Sequence, residues 1–324
     1  MEAKTVLVTG IGGNVGQGIL RNISSLNYPI RLVGTNTIEF TAGNHLVDAF
    51  YKTPFAYDTD FLKIVIDIIS KEKVDLVIPS TDYESYYLAL NSDKLPCKLA
   101  TSSSNATGIY LDKFLTWQFH HKHNISFAES ILPSAYQQSF SKAIAKPRKG
   151  RGSRGLIKNV KDVSGLSDEE YMVQEQIDGN EITTAVYNSY LTGEVIGLIT
   201  MERTLDNGAT NYCRVITTYD DELLKMAKLM TEKLNLKGAY NIQSIVNNNN
   251  EIVPFEINCR ISGTNSIRSN FGFKDVKYTI DELLYNIKPE NPVIIKGEAH
   301  RILLDVIYSE GTNNGNNKDN FLIF

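Results

Sequence analysis

The stretch "PFEINCRISGTNS", residues 254–266, alternates Phe255, Ile257, Cys259 and Ile261 with Glu256, Asn258, Arg260 and Ser262. Successive side chains of a strand point to opposite faces, so a carboxylate, an amide and a guanidinium share one face above an apolar underside. The run before it, "GAYNIQSIV" (238–246), is joined to "EIVPFEINCRIS" (251–262) by NNNN at 247–250, which predicts a β-hairpin. Closed symmetrically, that loop sets Val246 opposite Glu251 and Asn241 opposite Glu256. Gln243 is then a same-face diagonal neighbour of Glu256, about 7–8 Å away. Gln243, Glu256 and Asn258 supply the oxygen donors that Mg²⁺ favours, and Arg260 offers a fork of donors to a phosphoryl group. The competing reading is a half-buried sheet with a wet polar face, which requires no such order of side chains.

Upstream, "FSKAIAKPRKGRGSRGLIKNV" (140–160) runs as a strand to Lys146 and Pro147, then through Gly150, Gly152 and Gly155, interspersed with Lys149, Arg151, Ser153 and Arg154. Exposed amides and basic side chains suit a polyphosphate, although GxxxxGK[ST] is absent. A solvated basic hairpin tip would carry the same composition. "EEYMVQEQIDGNEITTAVY" (169–187) reads as a strand, a tight turn at Asp178-Gly179 and a second strand. Such a segment can present backbone groups to an adenine edge and Glu181 to ribose hydroxyls; a plain hairpin would look similar.

Towards the N-terminus, TVLVTG (5–10) and IRLVGTN (30–36) read as strands around the helical pattern VGQGILRNI. DFLKIVIDIISKEK (60–73) carries helical periodicity into VDLVIPS (74–80), and Thr81 with Glu84 forms a capping box. Strands alternating with helices imply a parallel α/β sheet. The turn TGIGGNVG (9–16) suits a dinucleotide only in part. Its spacing is not GxGxxG, and strand two ends at Asn36 instead of an acid for the ribose.

The 324 residues are 42% hydrophobic and 22% charged, with net charge −4. These are globular proportions, enough for two or three domains, with nothing global to attract nucleic acid or a membrane surface. No apolar run is long enough to span a bilayer, and MEAKTVLVTG reads as a strand instead of a signal peptide. Cys97, Cys213 and Cys259 are odd in number and far apart, the pattern of a reducing cytoplasm. His120, His121 and His123 of HHKH point different ways around a helix, which argues against a metal there. NNGNNKDN (313–320) reads as a polar tail or loop.

In this order and spacing the motifs resemble the ATP-grasp superfamily over most of the chain. "VLVTGIGGNVGQGIL" and "VIPSTDYES" are similar to single-copy relatives of the carbamoyl-phosphate synthase large chain, including the pyrrolysine-biosynthesis ligase. "LDKF" (111–114), "AKPRKGRGSRG", "VQEQIDGNEIT" and "GAYNIQ…PFEINCR" resemble the entry to the lid, its glycine loop, the adenine–ribose segment and the metal-binding strands. The resemblance implies an α/β (α+β) fold: a Rossmann-like domain at 1–110, a lid at 111–177, a catalytic unit with the metal site at 178–312, and a polar tail at 313–324.

It further implies that Lys113 and Lys146 meet phosphates from two sides, with Gly152 and Ser153 in the loop over them. Glu175, Gln176 and Ile177 would meet adenine, and Glu181 the ribose. Gln243, Glu256 and Asn258 would hold one or two Mg²⁺ ions, with Mn²⁺ able to substitute. Arg260 would stabilise the transferred phosphoryl, and Arg203 the acceptor carboxylate or γ-phosphate. Two departures stand out: Cys259 replaces the usual proline of Asn-Pro-Arg, and Gln243 stands where many relatives carry an acid.

The implied activity is an ATP-dependent carboxylate–amine ligase acting through an acyl-phosphate on small molecules, cytoplasmic, with a homodimer as the possible assembly. An NAD(P)-dependent oxidoreductase using TGIGGNVG and a non-catalytic nucleotide-binding protein are the alternatives. True carbamoyl-phosphate synthesis calls for two copies of the module, and one is present.

Overall fold

The computed structural model describes residues 1–150, 154–308 and 321–324; Gly152, Ser153 and the 313–320 run lie outside the described residues. Strands β1 (Lys4–Val8), β2 (Ile30–Asn36), β3 (Ala49–Lys52), β4 (Leu76–Ile78) and β5 (Lys98–Leu99) form a parallel sheet in the order β3-β2-β1-β4-β5. Val6, Leu7 and Val8 are fully buried, as a strand covered on both faces requires. Helix α1 (Asn14–Ser24) packs on one side, and α2 (Phe61–Glu72) supplies Phe61, Val65, Ile68 and Ile69 to the other.

The glycine turn after β1 is a structural turn. A Cβ on Gly16 would stand 2.7 Å from Gly10 O, and one on Gly43 would stand 2.0 Å from Ile11 O. The chain around Gly43 therefore presses directly onto the turn. Beyond β4, Thr81 caps α3 (Asp82–Leu90), accepting from the Glu84 amide and donating to its carboxylate. Helices α4 (Ser104–Leu111) and α5 (Lys113–Lys122) follow.

A second, antiparallel sheet joins β6 (Ser130–Ile131), β7 (Ala143–Pro147), β8 (Ile157–Lys158) and β9 (Tyr171–Glu175) in the order β6-β9-β7-β8. A third has the order β14-β13-β10-β11-β12-β15, built from β10 (Gly179–Asn188), β11 (Val195–Asp206), β12 (Ala209–Ile216), β13 (Gly238–Asn247), β14 (Ile252–Asn258) and β15 (Glu298–His300). So β9 and β10 lie in different sheets. The 169–187 segment is a crossing between sheets; it is not a hairpin.

Helix α6 (Asp220–Leu234) covers one face of the third sheet. Leu223, Ala227 and Met230 meet Ile242 and Ile257, which are 0% and 1% exposed. Burial of each such side chain stabilises by roughly 1.5–3 kcal/mol, fixing which face of β13 and β14 remains for polar groups. Short α7 (Asn265–Arg268) and α8 (Asp275–Tyr285) return to the first sheet and pack beside α1.

Residues 321–324, expected within the polar tail, are not all loose. β17 (Phe321–Ile323) pairs antiparallel with β16 (Val306–Tyr308), because its apolar side chains have a sheet partner that the asparagines could not provide. Among the described residues no helix is long and apolar enough to cross a membrane.

Candidate active site

The β13–β14 hairpin forms, but its register differs from symmetric closure. The turn closes from Asn247 to Glu251, with Asn250 at φ 61°, and the Asn247 side chain accepts from the amides of Asn249 and Glu251. Val246 therefore faces Ile252. A second step comes at Pro254, which has no N–H to give the ladder: Ser244 faces Pro254 while Gln243 faces Glu256. Together these one-residue steps place Gln243 directly opposite Glu256, and Asn241 opposite Asn258. The edge position of β14 tolerates the proline.

The polar face of this sheet is a connected row. Arg203 Nη2 donates to Gln243 Oε1 at 2.6 Å, Gln243 Nε2 to Asn258 Oδ1 at 2.8 Å, and Asn258 Nδ2 to Glu256 Oε1 at 3.2 Å. Lys113 Nζ stands 3.8 Å from the same Glu256 oxygen. Burial alone would push the Glu256 carboxyl up. Lys113, Lys146, the Asn258 hydrogen bond and Arg260 outweigh it and hold the group below its ordinary range. Glu256 is thus a charged carboxylate at neutral pH.

Lys113 opens α5, whose N-cap Asp112 accepts from the amides of Phe114 and Leu115. Arg148 clasps Asp112, with Nη2 2.8 Å from Oδ2, and its carbonyl accepts from the Lys113 amide. The start of the glycine loop is thereby stapled to the helix that carries Lys113, whose Nζ also donates to Gly150 O at 3.2 Å. Lys146, 6% exposed in β7, donates to Gln174 Oε1 at 2.7 Å and Phe255 O at 3.0 Å. Burial, with Lys113 adding to it, lowers its pKa to about 7, against the pull of Glu256.

Lys113, Lys146, Glu175, Gln176, Ile177, Glu181, Gln243 and Glu256 all line one cleft of about 340 Å³, between the small antiparallel sheet and the large one. That volume lies within the ~300–1,000 Å³ usual for ligand pockets. Ile144, Leu156, Leu205, Ile245 and Phe255 give it an apolar wall. The amides of Glu175 and Gln176 already serve Glu129 O and Lys142 O, so a base edge there must use the remaining backbone groups of 175–177.

Three residues with expected roles already carry charged protein partners. Glu181, read as a ribose acceptor, is clamped by Arg203, whose Nε lies 2.9 Å and Nη2 2.6 Å from its Oε1. Arg203 therefore orients Glu181 and Gln243 in place of standing free for an acceptor. Arg260 leaves the strand alternation after Asn258 and reaches Asp82 of α3. Arg268, outside these expectations, is 1% exposed; it pairs with Asp275 and donates to the hydroxyls of Ser262 and Thr264.

Sequence reasoning passed over Asp82, Asp112, Arg148 and Gln174. Only the Asp-Lys order and the basic run pointed to any of them. It also missed Asn241, 1% exposed, whose Nδ2 has no partner among the described residues.

Cys259 is 4% exposed in the core, and burial raises its thiol to about 12, which excludes a resting nucleophile. His120 is buried, with its pKa lowered to about 4 by that burial and its Nδ1 3.2 Å from Ser126 O. Among the described residues no group of three His, Cys, Asp or Glu side chains could hold a metal. The donor set at Gln243, Glu256 and Asn258 is one carboxylate and two amides. It fits a hard cation that keeps most of its charge balance on phosphate oxygens, in the way Mg²⁺ binds, better than a cation held by protein alone.

Residues 110–264 match the family model described as an ATP-grasp domain. Among curated proteins, none matches this sequence. Solved structures do. N5-carboxyaminoimidazole synthetase from Staphylococcus aureus, complexed with ADP, is 13% identical over 94% of this chain and 83% of its own, with a TM-score of 0.75. The biotin carboxylase domain dimer of Hydrogenobacter thermophilus 2-oxoglutarate carboxylase, with MgADP and bicarbonate, is 12% identical over 92% and 74%, with a TM-score of 0.72. N5-carboxyaminoimidazole ribonucleotide synthetase from Thermotoga maritima is 16% identical over 94% and 80%, with a TM-score of 0.70. At such identities the likeness carries the fold, which holds for nearly the whole chain. The superfamily resemblance read from the sequence therefore stands, and the chain carries an ATP-grasp domain over residues 110–264.

Proposed function

We propose that this protein is an ATP-dependent ligase that joins a small-molecule carboxylate to an amine through an acyl-phosphate, releasing ADP and phosphate. One observation carries the reading: Lys113, Lys146 and the charged Glu256 converge on one cleft, at the foot of the strand that leads into the glycine loop. Phosphoryl transfer asks for positioned charge more than covalent help, and this site supplies charge without a Ser-His or Cys-His pair.

In this reading ATP lies with its base against the apolar wall and the 175–177 segment, and its ribose towards Glu181. Lys113 and Lys146 donate to the phosphates. Mg²⁺, held by Glu256 with the amide oxygens of Gln243 and Asn258, neutralises phosphate charge when bound. The acid's carboxylate attacks the γ-phosphorus, ADP leaves, and the amine then attacks the acyl carbon and expels phosphate. Arg260, anchored by Asp82 beside the polar row and acting on Glu256 through its charge, is the group that would hold the transferred phosphoryl.

Neighbours in fold are N5-carboxyaminoimidazole ribonucleotide synthetases, one of them crystallised with ADP and 5-aminoimidazole ribonucleotide, and a biotin carboxylase domain crystallised with bicarbonate. A small acid and a small nitrogen nucleophile are the corresponding substrate classes here. A phosphate-release assay across panels of acids and amines, with the product identified by mass, tests the reading. Release that requires both partners and yields their condensation product supports it, whereas no release with any pair contradicts it. The oxidoreductase reading has little support, since the β1 turn is packed under the Gly43 segment and strand two ends at Asn36.

A further inference from the structure

Lys146 reaches the cleft at the end of a hydrogen-bonded chain that crosses the small antiparallel sheet. The Ser130 hydroxyl in β6 donates to Ala128 O at 2.9 Å. A hydroxyl has one proton, so this contact leaves the Ser130 oxygen an acceptor, and Gln174 Nε2 of β9 donates to it at 3.2 Å. That bond fixes which way the amide lies. Its Oε1 is turned to the other side, where it accepts from Lys146 Nζ at 2.7 Å. Ser130 and Gln174 are each 3% exposed, so water is no easy substitute for either partner.

Both ends of the chain are secured to β14, the strand that carries Glu256 and Asn258. Ala128 N donates to Pro254 O at 2.7 Å. Lys146 Nζ donates to Phe255 O at 3.0 Å and lies 5.6 Å from the centre of the Phe255 ring. An ammonium has three protons and accepts nothing. Gln174 and Phe255 O take two of them, which leaves one for an occupant of the cleft. Both acceptors are neutral, so the ammonium keeps its charge for a phosphate, as it would not beside a carboxylate.

We propose that Gln174 is the positioning residue for Lys146: a buried acceptor of fixed direction that holds the ammonium where a nucleotide's phosphates meet it. The role rests on the nucleotide-binding reading of the cleft and gives a second side chain control of one phosphate contact. Gln174 also lines the cleft, so direct contact with the base is the competing role.

Titration calorimetry of the full chain with MgADP and with adenosine tests it on the wild type, Gln174→Met, Lys146→Met and the double variant. Gln174→Met removes the acceptor at similar size and should weaken MgADP by roughly tenfold while leaving adenosine within about twofold. In the Lys146→Met background the same change should weaken MgADP by less than about twofold, because the ammonium through which it acts is gone. Ser130→Ala removes only the oxygen that orients the amide. It should weaken MgADP by about threefold with adenosine again spared, and it carries the test if Gln174→Met does not fold. MgADP affinity unchanged in Gln174→Met overturns the proposal, as does a full loss that persists without Lys146. An equal loss for MgADP and adenosine overturns it in favour of contact with the base. A wild type that binds neither ligand overturns the nucleotide reading itself, and this role with it.

Discussion

Arg260 sets two nitrogens on a single oxygen of Asp82, Nε at 3.0 Å and Nη2 at 2.8 Å from Oδ2. The pair joins the strand that carries Glu256 to the helix that opens at the end of β4, across 178 residues of chain. Both side chains are under one-fifth exposed. Replacing Asp82 with Ala leaves a mostly buried guanidinium without its carboxylate, with only Nη1 still donating to Ile261 O among its protein hydrogen bonds, at a cost of about 1–3 kcal/mol. The expected outcome is a melting temperature lower by several degrees, with turnover reduced much further than MgADP affinity. Thermal melts and phosphate release on Asp82→Ala check it; unchanged turnover would remove Arg260 from the reaction.

Lys146 makes the site pH-sensitive in a direction that can be worked out. Its pKa is lowered to about 7 in the folded protein, from 10.5 for an ordinary lysine. Between those values the unfolded chain binds the extra proton, so this residue makes the ligand-free protein more stable as pH rises from 7 towards 10.5. Phosphate favours the charged ammonium, so nucleotide binding runs the other way: affinity is greatest below pH 7 and declines above it, by up to about tenfold per unit. Titration calorimetry at pH 8 in buffers of different ionisation enthalpy should show uptake of nearly one proton per MgADP bound. Lys146→Met should abolish that uptake.

Glu256→Gln keeps the shape of the row and removes its negative charge. Lys113 then loses the carboxylate 3.8 Å away, and a bound cation loses its one anionic protein ligand. A fall in phosphate release of ~100-fold or more, with the requirement for Mg²⁺ shifted to higher concentration, is the expected result. Titrating Mg²⁺ against the rate in both proteins reads it directly.

Arg203→Ala separates positioning from contact. The guanidinium bridges Glu181 and Gln243, so its loss frees both side chains without removing a group from the phosphate end. Nucleotide affinity should weaken by roughly 10-fold, the scale of one charge-assisted hydrogen bond. Arg203→Lys should rescue little, since an ammonium cannot span both partners in the same plane.

Much of this arrangement was legible in the sequence because it rests on local periodicity. The parallel strands, the capping box at Thr81 and the two antiparallel strands around Gln243 and Glu256 follow from alternation and turn chemistry. The register did not follow, since it turned on an asparagine side chain closing its own turn and on Pro254 withholding a donor. Nor could periodicity reveal Asp82 against Arg260 or Arg148 against Asp112, which are contacts made by folding between segments far apart in sequence.

Cys259 gives a chemical check on the absence of a covalent nucleophile. With the thiol raised to about 12 by burial, alkylation at pH 8 should spare it, and Cys259→Ala should keep turnover within a few-fold. Peptide mapping after iodoacetamide treatment reports which thiols react, and loss of activity in step with Cys259 labelling would contradict this assignment.

The central claim is met most directly by thermal melts of the wild type with MgATP, with ATP and excess chelator, and with NADPH, each beside Glu256→Gln. At a hundredfold excess over its dissociation constant MgATP should stabilise the wild type by about 2.7 kcal/mol, chelation should remove most of that, and NADPH should do nothing. Stabilisation by NADPH and none by MgATP, or an MgATP effect that Glu256→Gln leaves untouched, would contradict it.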